Sequence, residues 1–328
     1  MIPLVLKGKV LSYLPYEELV ELDADIVSYV LPFINNYQEL YKVTVMRNIP
    51  KTLELLIKKG CKIDYTKESF TRYGNIINGF DYASVNGYKE IVKLLLSLPT
   101  EYGIDPSGRN NYGIKIASEK GHFEIIKLLL SLPVEYGIDP SSDYNYAIRT
   151  ASRKGHVEVV KLLLSLPLRL HTDKCRDDSR FIECDCPNRD WIDPSTEDNY
   201  AIRFASFGGH IEVMRLLLSL PSKYGIDASA DNNAIIRMAS YYGDIELVKL
   251  LLSLPAENGI DPSANNNCAT CWASKNGHIE VVKLLLSLPK RCGIDPSADN
   301  NYAIRWASEN GHTEIVRLLE EHIKKNKN

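Results

Sequence analysis

The chain has 328 residues, 45% of them apolar, and a formal net charge of −3. That is enough apolar content for a continuous core, without the basic excess that draws a protein to nucleic acid or to anionic membrane surfaces. No apolar run reaches the roughly 20 residues that span a bilayer. Seven cysteines without a repeating spacing argue for a reducing compartment rather than a disulfide framework. Residues 1–7 lack a charged region ahead of their short apolar stretch, a poor secretion signal, so an intracellular protein is expected.

Residues 1–36 do not repeat. Val10, Leu11, Leu14, Leu19, Val20 and Leu22 mark two helical pieces broken at Pro15, and a further apolar piece runs from 26 to 34. They are expected to form an N-terminal helical cap. A worn first repeat follows at about 37–66. A second, at about 75–108, has Ile77 where later copies carry Asn, and Asp81 where most carry a basic residue.

From there the copies are regular. Glycine returns at 87, 121, 155, 209, 243, 277 and 311, every step being 34 residues except the 54 between Gly155 and Gly209. A fixed period of this size signals stacked supersecondary units. In the copy starting at Asn111, a first helix is predicted over about 112–120, with Ala117 and Ser118 as small packing positions and Gly121 as its left-handed stop. Asn111 recurs as Asn145, Asn199, Asn233, Asn267 and Asn301, and is expected to cap the helix by accepting from a first-turn amide. The second helix, about 123–132, is apolar almost all round apart from Glu124 and Lys127, so it needs cover on more than one side. Pro133 ends it. The Gly-Ile-Asp-Pro-Ser turn that follows uses its Asp, such as Asp105 or Asp295, to hold the backbone.

The long step is an insertion of 20 residues, at about 168–191, in the connection of repeat four. It contains His171, Cys175, Cys184 and Cys186, four soft candidate metal ligands, but no paired Cys-x-x-Cys knuckle. A charged surface loop is the plainer reading. Cys268 and Cys271 form a Cys-x-x-Cys within a repeat helix, which is not the strand-to-helix setting of a redox motif. The chain ends at 318–328 on polar residues, as a terminal repeat should.

Helix, Gly-His turn, helix and turn-rich connection at this period resemble the ankyrin repeat. The family's Gly-His-x-Glu-Val-Val-Lys-Leu-Leu-Leu is nearly verbatim at 155–164 and 277–286, and its Thr-Pro-Leu-His-x-Ala-Ala corresponds to 112–118 and 302–308. The family's Thr and His are replaced there by Tyr and by Arg or Lys. The resemblance covers about 37–328 and implies an all-α ankyrin-repeat solenoid of about eight repeats. The Ser-Leu-Pro-x-Glu-Tyr spelling is similar to the ankyrin families of giant, mimivirus-type viruses, which would place the protein in host cytoplasm.

No nucleophile–base grouping, phosphate-cradling glycine loop or paired catalytic acids occur, so no catalytic residue, cofactor or enzyme activity is expected. Five histidines copy themselves with the fold (His122, His156, His210, His278, His312), which is a structural signature. A basic stripe at Lys115, Arg149, Arg203, Arg237 and Arg305 is expected to be compensated by carboxylates, so neither a nucleic-acid nor a membrane partner is expected. The resemblance implies that the two residues before Gly-His and the finger tips face a concave surface where a protein partner binds a monomeric scaffold. On that ground Phe207, Tyr241, Tyr242, Arg153, Lys154 and Tyr144 are the partner-binding candidates. The alternative is a substrate receptor of a ubiquitin ligase, docked through the N-terminal helices of residues 1–36, in which Leu-Ser-Tyr-Leu-Pro-x-Glu-Glu-Leu at 11–19 resembles part of an F-box.

Overall fold

The computed structural model describes residues 14–20, 22, 24–67, 70–72, 75–167 and 192–327. By internal contact the chain divides into two compact units, Met1–Asp143 and Tyr144–Asn328. Helices are numbered here in chain order. In the first unit α1 (Tyr16–Leu19) and α2 (Ala24–Val30) precede the pair α3 (Tyr37–Met46) and α4 (Pro50–Lys58). A hairpin of β1 (Phe70–Arg72) and β2 (Asn75–Ile77) leads into α5 (Gly79–Asn86) and α6 (Lys89–Leu96). The third pair is α7 (Gly108–Lys120) and α8 (Phe123–Leu130). α9 (Ser142–Lys154) starts at the unit boundary and pairs with α10 (Val157–Leu164). The second unit continues with α11 (Thr196–Phe207) and α12 (Ile211–Leu218), α13 (Ala230–Tyr242) and α14 (Ile245–Ser253), α15 (Ala264–Lys275) and α16 (Ile279–Leu286), and α17 (Ala298–Glu309) and α18 (Thr313–Lys327). Eight helix pairs are thus present among the described residues, as the period requires. The short antiparallel hairpin is the one departure there from an all-helical chain, and it stands where the Gly-Ile-Asp-Pro-Ser turn precedes later repeats.

The packing follows from two patterns. The small alanines of the first helices, Ala117, Ala151, Ala205, Ala239, Ala273 and Ala307, are each fully buried, and within the second unit successive first helices from α11 to α17 pack on one another. Second helices from α4 to α16 bury one triad apiece, for example Ile125, Ile126 and Leu129 or Val281, Val282 and Leu285, while α18 buries only Ile315 and Leu319 among its described side chains. Burying one such side chain contributes about 1.5–3 kcal/mol. The serine after each alanine is buried from Ser84 to Ser274, but Ser308 in the last repeat is exposed, because no further helix covers it. At the other end α1 packs on α3 and α2 on α4, burying Leu19, Val20, Val27 and Val30.

The helix ends hold one expected feature and one surprise. The left-handed stop at Gly121 is there, with φ +77°, and recurs at Gly87, Gly155, Gly209, Gly243, Gly277 and Gly311. The repeating asparagine, however, is not an N-cap. It is the last of three consecutive left-handed residues, such as Asp231, Asn232 and Asn233, and its oxygen bonds to the connecting turn beyond the second helix, which leads into the next repeat. Asn233 Oδ1 accepts from the Asp261 backbone N–H at 2.9 Å, and Asn111, Asn145, Asn199 and Asn267 accept from Asp139, Asp193, Asp227 and Asp295 in the same way. Left-handed backbone costs most residues roughly 1–2 kcal/mol each, and Asn and Asp least. That cost explains the Asp/Asn-rich spelling, and the bond to the connecting turn offsets it. Among the described residues true asparagine caps lie outside this pattern: Asn36 accepts from Glu39 N–H, and Asn78, one residue after Ile77, accepts from Asp81 N–H.

The turn aspartates behave as expected. Asp139 Oδ1 accepts from the Ser141 amide at 2.8 Å and its hydroxyl at 2.6 Å, and Asp105, Asp227, Asp261 and Asp295 do likewise. The insertion at 168–191, with His171, Cys175, Cys184 and Cys186, lies outside the described residues. The residues that flank it meet: Ile192 N–H donates to Pro167 O at 3.1 Å, and Asp193 resumes the turn.

Candidate partner-binding strip

The basic stripe has a structural use that its spacing did not reveal. Arg237 donates from Nε to Asn232 O at 3.0 Å and from Nη2 to Asp231 O at 2.9 Å, closing the left-handed turn of its own repeat. Arg203 bonds to the Asp198 carbonyl and carboxylate, and Arg305 reaches Asp299 O at 3.4 Å. Carboxylate compensation is therefore only part of the account. Backbone carbonyls of the strained turn take most of these donors. In repeat seven Cys271 stands at this position; burial pushes its thiol up to about 12 and raises that of Cys268 too. Protonated, enclosed thiols are poor nucleophiles.

At the opposite ends of the first helices, each repeat is tied to the next through the carbonyl two residues before its glycine. His210 Nε2 meets Arg153 O at 3.0 Å, His278 Nε2 meets Tyr241 O at 2.9 Å, and His312 Nε2 meets Lys275 O at 3.1 Å. The glycine is needed because the ring lies on it. A Cβ built on Gly155 would stand 2.4 Å from His210 Nδ1, and one on Gly243 would stand 2.5 Å from His278 Nδ1. Repeat six has Asp244 where the others have histidine, and Asp244 serves instead as an N-cap to Leu247 N–H and a partner of Arg215. The missing imidazole is replaced by Tyr242. Its ring lies over Gly209, 2.6 Å from a built Cβ, and its hydroxyl donates to Phe207 O at 3.2 Å, the acceptor a histidine would use.

This arrangement sorts the candidates. Arg153, Phe207, Tyr241 and Lys275 occupy the same position in four successive repeats, each fixed by a bond to its own carbonyl from the next repeat. Phe207 is 45% exposed, Tyr241 38% and Tyr242 42%, although Tyr242 also does the structural work just described. Lys154 is exposed and Arg153 half-buried. Tyr144 is exposed but is not brought to them: it sits in the left-handed turn of repeat four, nine residues before Arg153, roughly 13 Å along the helix at 1.5 Å per residue. Rings from the first-helix face back the strip. Tyr241 meets Trp272 edge-on at 5.7 Å, Phe207 meets Phe204 at 6.0 Å, and Phe204 stacks on Tyr200 at 4.0 Å. Lys275 Nζ lies 4.3 Å from the centroid of Trp306. Phe204, Met238, Trp272 and Trp306 are one variable column set between constant neighbours; its variability was a readable signal, but its direction needed the helix packing.

Among the described residues no group of three or more His, Cys, Asp and Glu side chains could hold a metal, and no helix is long and apolar enough to cross a membrane.

The family profile for ankyrin repeats (three copies) matches residues 80–178, 114–232 and 235–328. The chain belongs to the ankyrin-repeat family. Curated proteins give no match. Among solved structures the chain is similar to an ankyrin repeat family protein from Legionella pneumophila, with 18% identity, 95% of this chain and 85% of that chain covered, and a TM-score of 0.40. So distant a likeness carries no further argument.

Proposed function

We propose that the protein is a non-catalytic scaffold that binds a protein partner through the strip of pre-glycine side chains and the rings behind it. The observation that carries this reading is the exposure of Phe207 and Tyr241 at positions locked by backbone bonds between repeats. A rigidly held, half-exposed aromatic loses little conformational entropy on binding, and aromatics dominate binding hot spots. The ankyrin fold is generally non-catalytic, and the enclosed state of Cys268 and Cys271 agrees with that.

Burial of Leu19, Val20, Val27 and Val30 supports residues 1–36 as a cap on the repeats rather than a ligase-docking element. Residues 11–13 of the F-box-like stretch lie outside the described residues. Kinship with the giant-virus families, an intracellular site and a monomeric state remain part of the proposal; they rest on the repeat spelling and the reducing-compartment cysteine pattern. The test is co-precipitation of partners by the intact chain and by Phe207→Ala/Tyr241→Ala. Loss of a partner with retained circular dichroism supports the strip. Unchanged partners place binding elsewhere.

A further inference from the structure

The strip has a charge pattern of its own. Across repeats four to seven the two pre-glycine positions hold Arg153 and Lys154, Phe207 and Gly208, Tyr241 and Tyr242, and Lys275 and Asn276: cations at both ends, aromatics between, and no carboxylate. The second helices of the same unit are the opposite case, with their charges tied to one another. Lys161 pairs with Glu158 at 2.8 Å, Lys249 with Glu246 at 2.8 Å and Lys283 with Glu280 at 2.9 Å, while Arg215 reaches Asp244 at 3.0 Å. Arg153, Lys154 and Lys275 enter no ion pair with any described residue. Lys154 is exposed, Arg153 and Lys275 are half-buried, and Lys275 rests over the Trp306 ring. With no carboxylate among the described residues to meet them, these cations flanking exposed rings form a surface lacking its negative complement.

We infer that the partner is an extended acidic protein segment, with carboxylates toward both ends and an apolar or aromatic side chain at its centre. The inference rests on the protein-binding reading of the same strip. Neighbouring helices pack 8–10 Å apart, so the three steps from Arg153 to Lys275 span roughly 27 Å. An extended chain rising about 3.4 Å per residue covers that in about eight residues. The central ring contacts Phe207 and Tyr241, and the terminal carboxylates reach Arg153 and Lys154 at one end and Lys275 at the other. A single-stranded nucleic acid fits less well, because it carries a phosphate at every nucleotide, whereas the two middle repeats offer no cation at these positions.

A displayed library of random nonapeptides, selected on the full chain, tests this. The free winning peptide and a single-stranded oligothymidylate are then titrated by fluorescence anisotropy. Selected peptides should carry Asp or Glu on both sides of an apolar centre. Their affinity should fall with added salt, and at least tenfold with Arg153→Glu/Lys275→Glu, a variant whose circular dichroism should match the parent. Tyr241→Ala should weaken them comparably. Neutral or basic winners that Tyr241→Ala abolishes would overturn the acidic-segment inference while leaving the strip as a protein-binding site. Winners insensitive to Phe207→Ala/Tyr241→Ala would remove the strip itself. An empty selection, or tighter binding of the oligothymidylate lost on the same variants, would also overturn the inference.

Discussion

At the scale of single residues, the repeating asparagine gives the sharpest lesson. Its place just before a helix reads as a cap, and the residue type fits a cap as well as it fits a left-handed turn. Only the fold shows that its acceptor faces the connecting turn. The two roles predict different failures. Asn233→Ala should cost about 2–4 kcal/mol, from two lost hydrogen bonds, to the Asp261 amide and the Gly259 carbonyl, and a poorer left-handed residue. Hydrogen exchange should speed at the Asp261 amide in the connecting turn beyond α14, whereas a cap would show its loss in the first turn of α13. The glycines allow a matched comparison. Gly155→Ala and Gly311→Ala share a left-handed backbone, with φ +74° and +77°, but only the first would drive a Cβ into a histidine ring. Gly311→Ala should cost about 1–2 kcal/mol for the left-handed alanine alone. Gly155→Ala should cost distinctly more, read as the larger fall in urea midpoint. For Cys271, with its thiol pushed up to about 12, the thiolate is negligible at pH 8. Iodoacetamide should leave it unlabelled in the folded protein and modify it on unfolding.

Helices and turns were the most legible level, because their signals are local: the small Ala-Ser pair, the apolar second helix, the glycine stop and the Asp-Pro-Ser turn all act within a few residues. The hairpin of β1 and β2 was not legible, since its strands are three residues each and its register gives no periodic signal. Nor was the exchange in repeat six. The sequence shows a histidine missing at 244 and an extra tyrosine at 242, but that one replaces the other depends on a ring crossing to the preceding repeat. Tyr242→Phe should therefore cost about 1 kcal/mol, the worth of one hydrogen bond. Tyr242→Ala should cost about 2–3 kcal/mol through lost packing as well. If Tyr242 were purely a partner-binding side chain, both substitutions would leave the denaturation midpoint unchanged.

For the molecule as a whole, the period sets the fold class and the count of eight pairs, because each repeat can bury its apolar helix only against its neighbours. The candidate surface was half legible. Phe207 and Tyr241 stand out as departures from the repeat, but the backing by Trp272 and Phe204, the separation of Tyr144 and the structural duty of Tyr242 all depend on contacts between repeats. The central claim is that this face, rather than the ion-paired second helices, meets a partner. The most direct measurement places a photo-crosslinking benzoylphenylalanine at Tyr241 in one full-length protein and at Lys249 in another, each irradiated with partner-containing extract. The account predicts a discrete adduct from position 241 that disappears with added Arg153→Glu/Lys275→Glu, and none from position 249. An adduct from position 249, with none from 241, would contradict it.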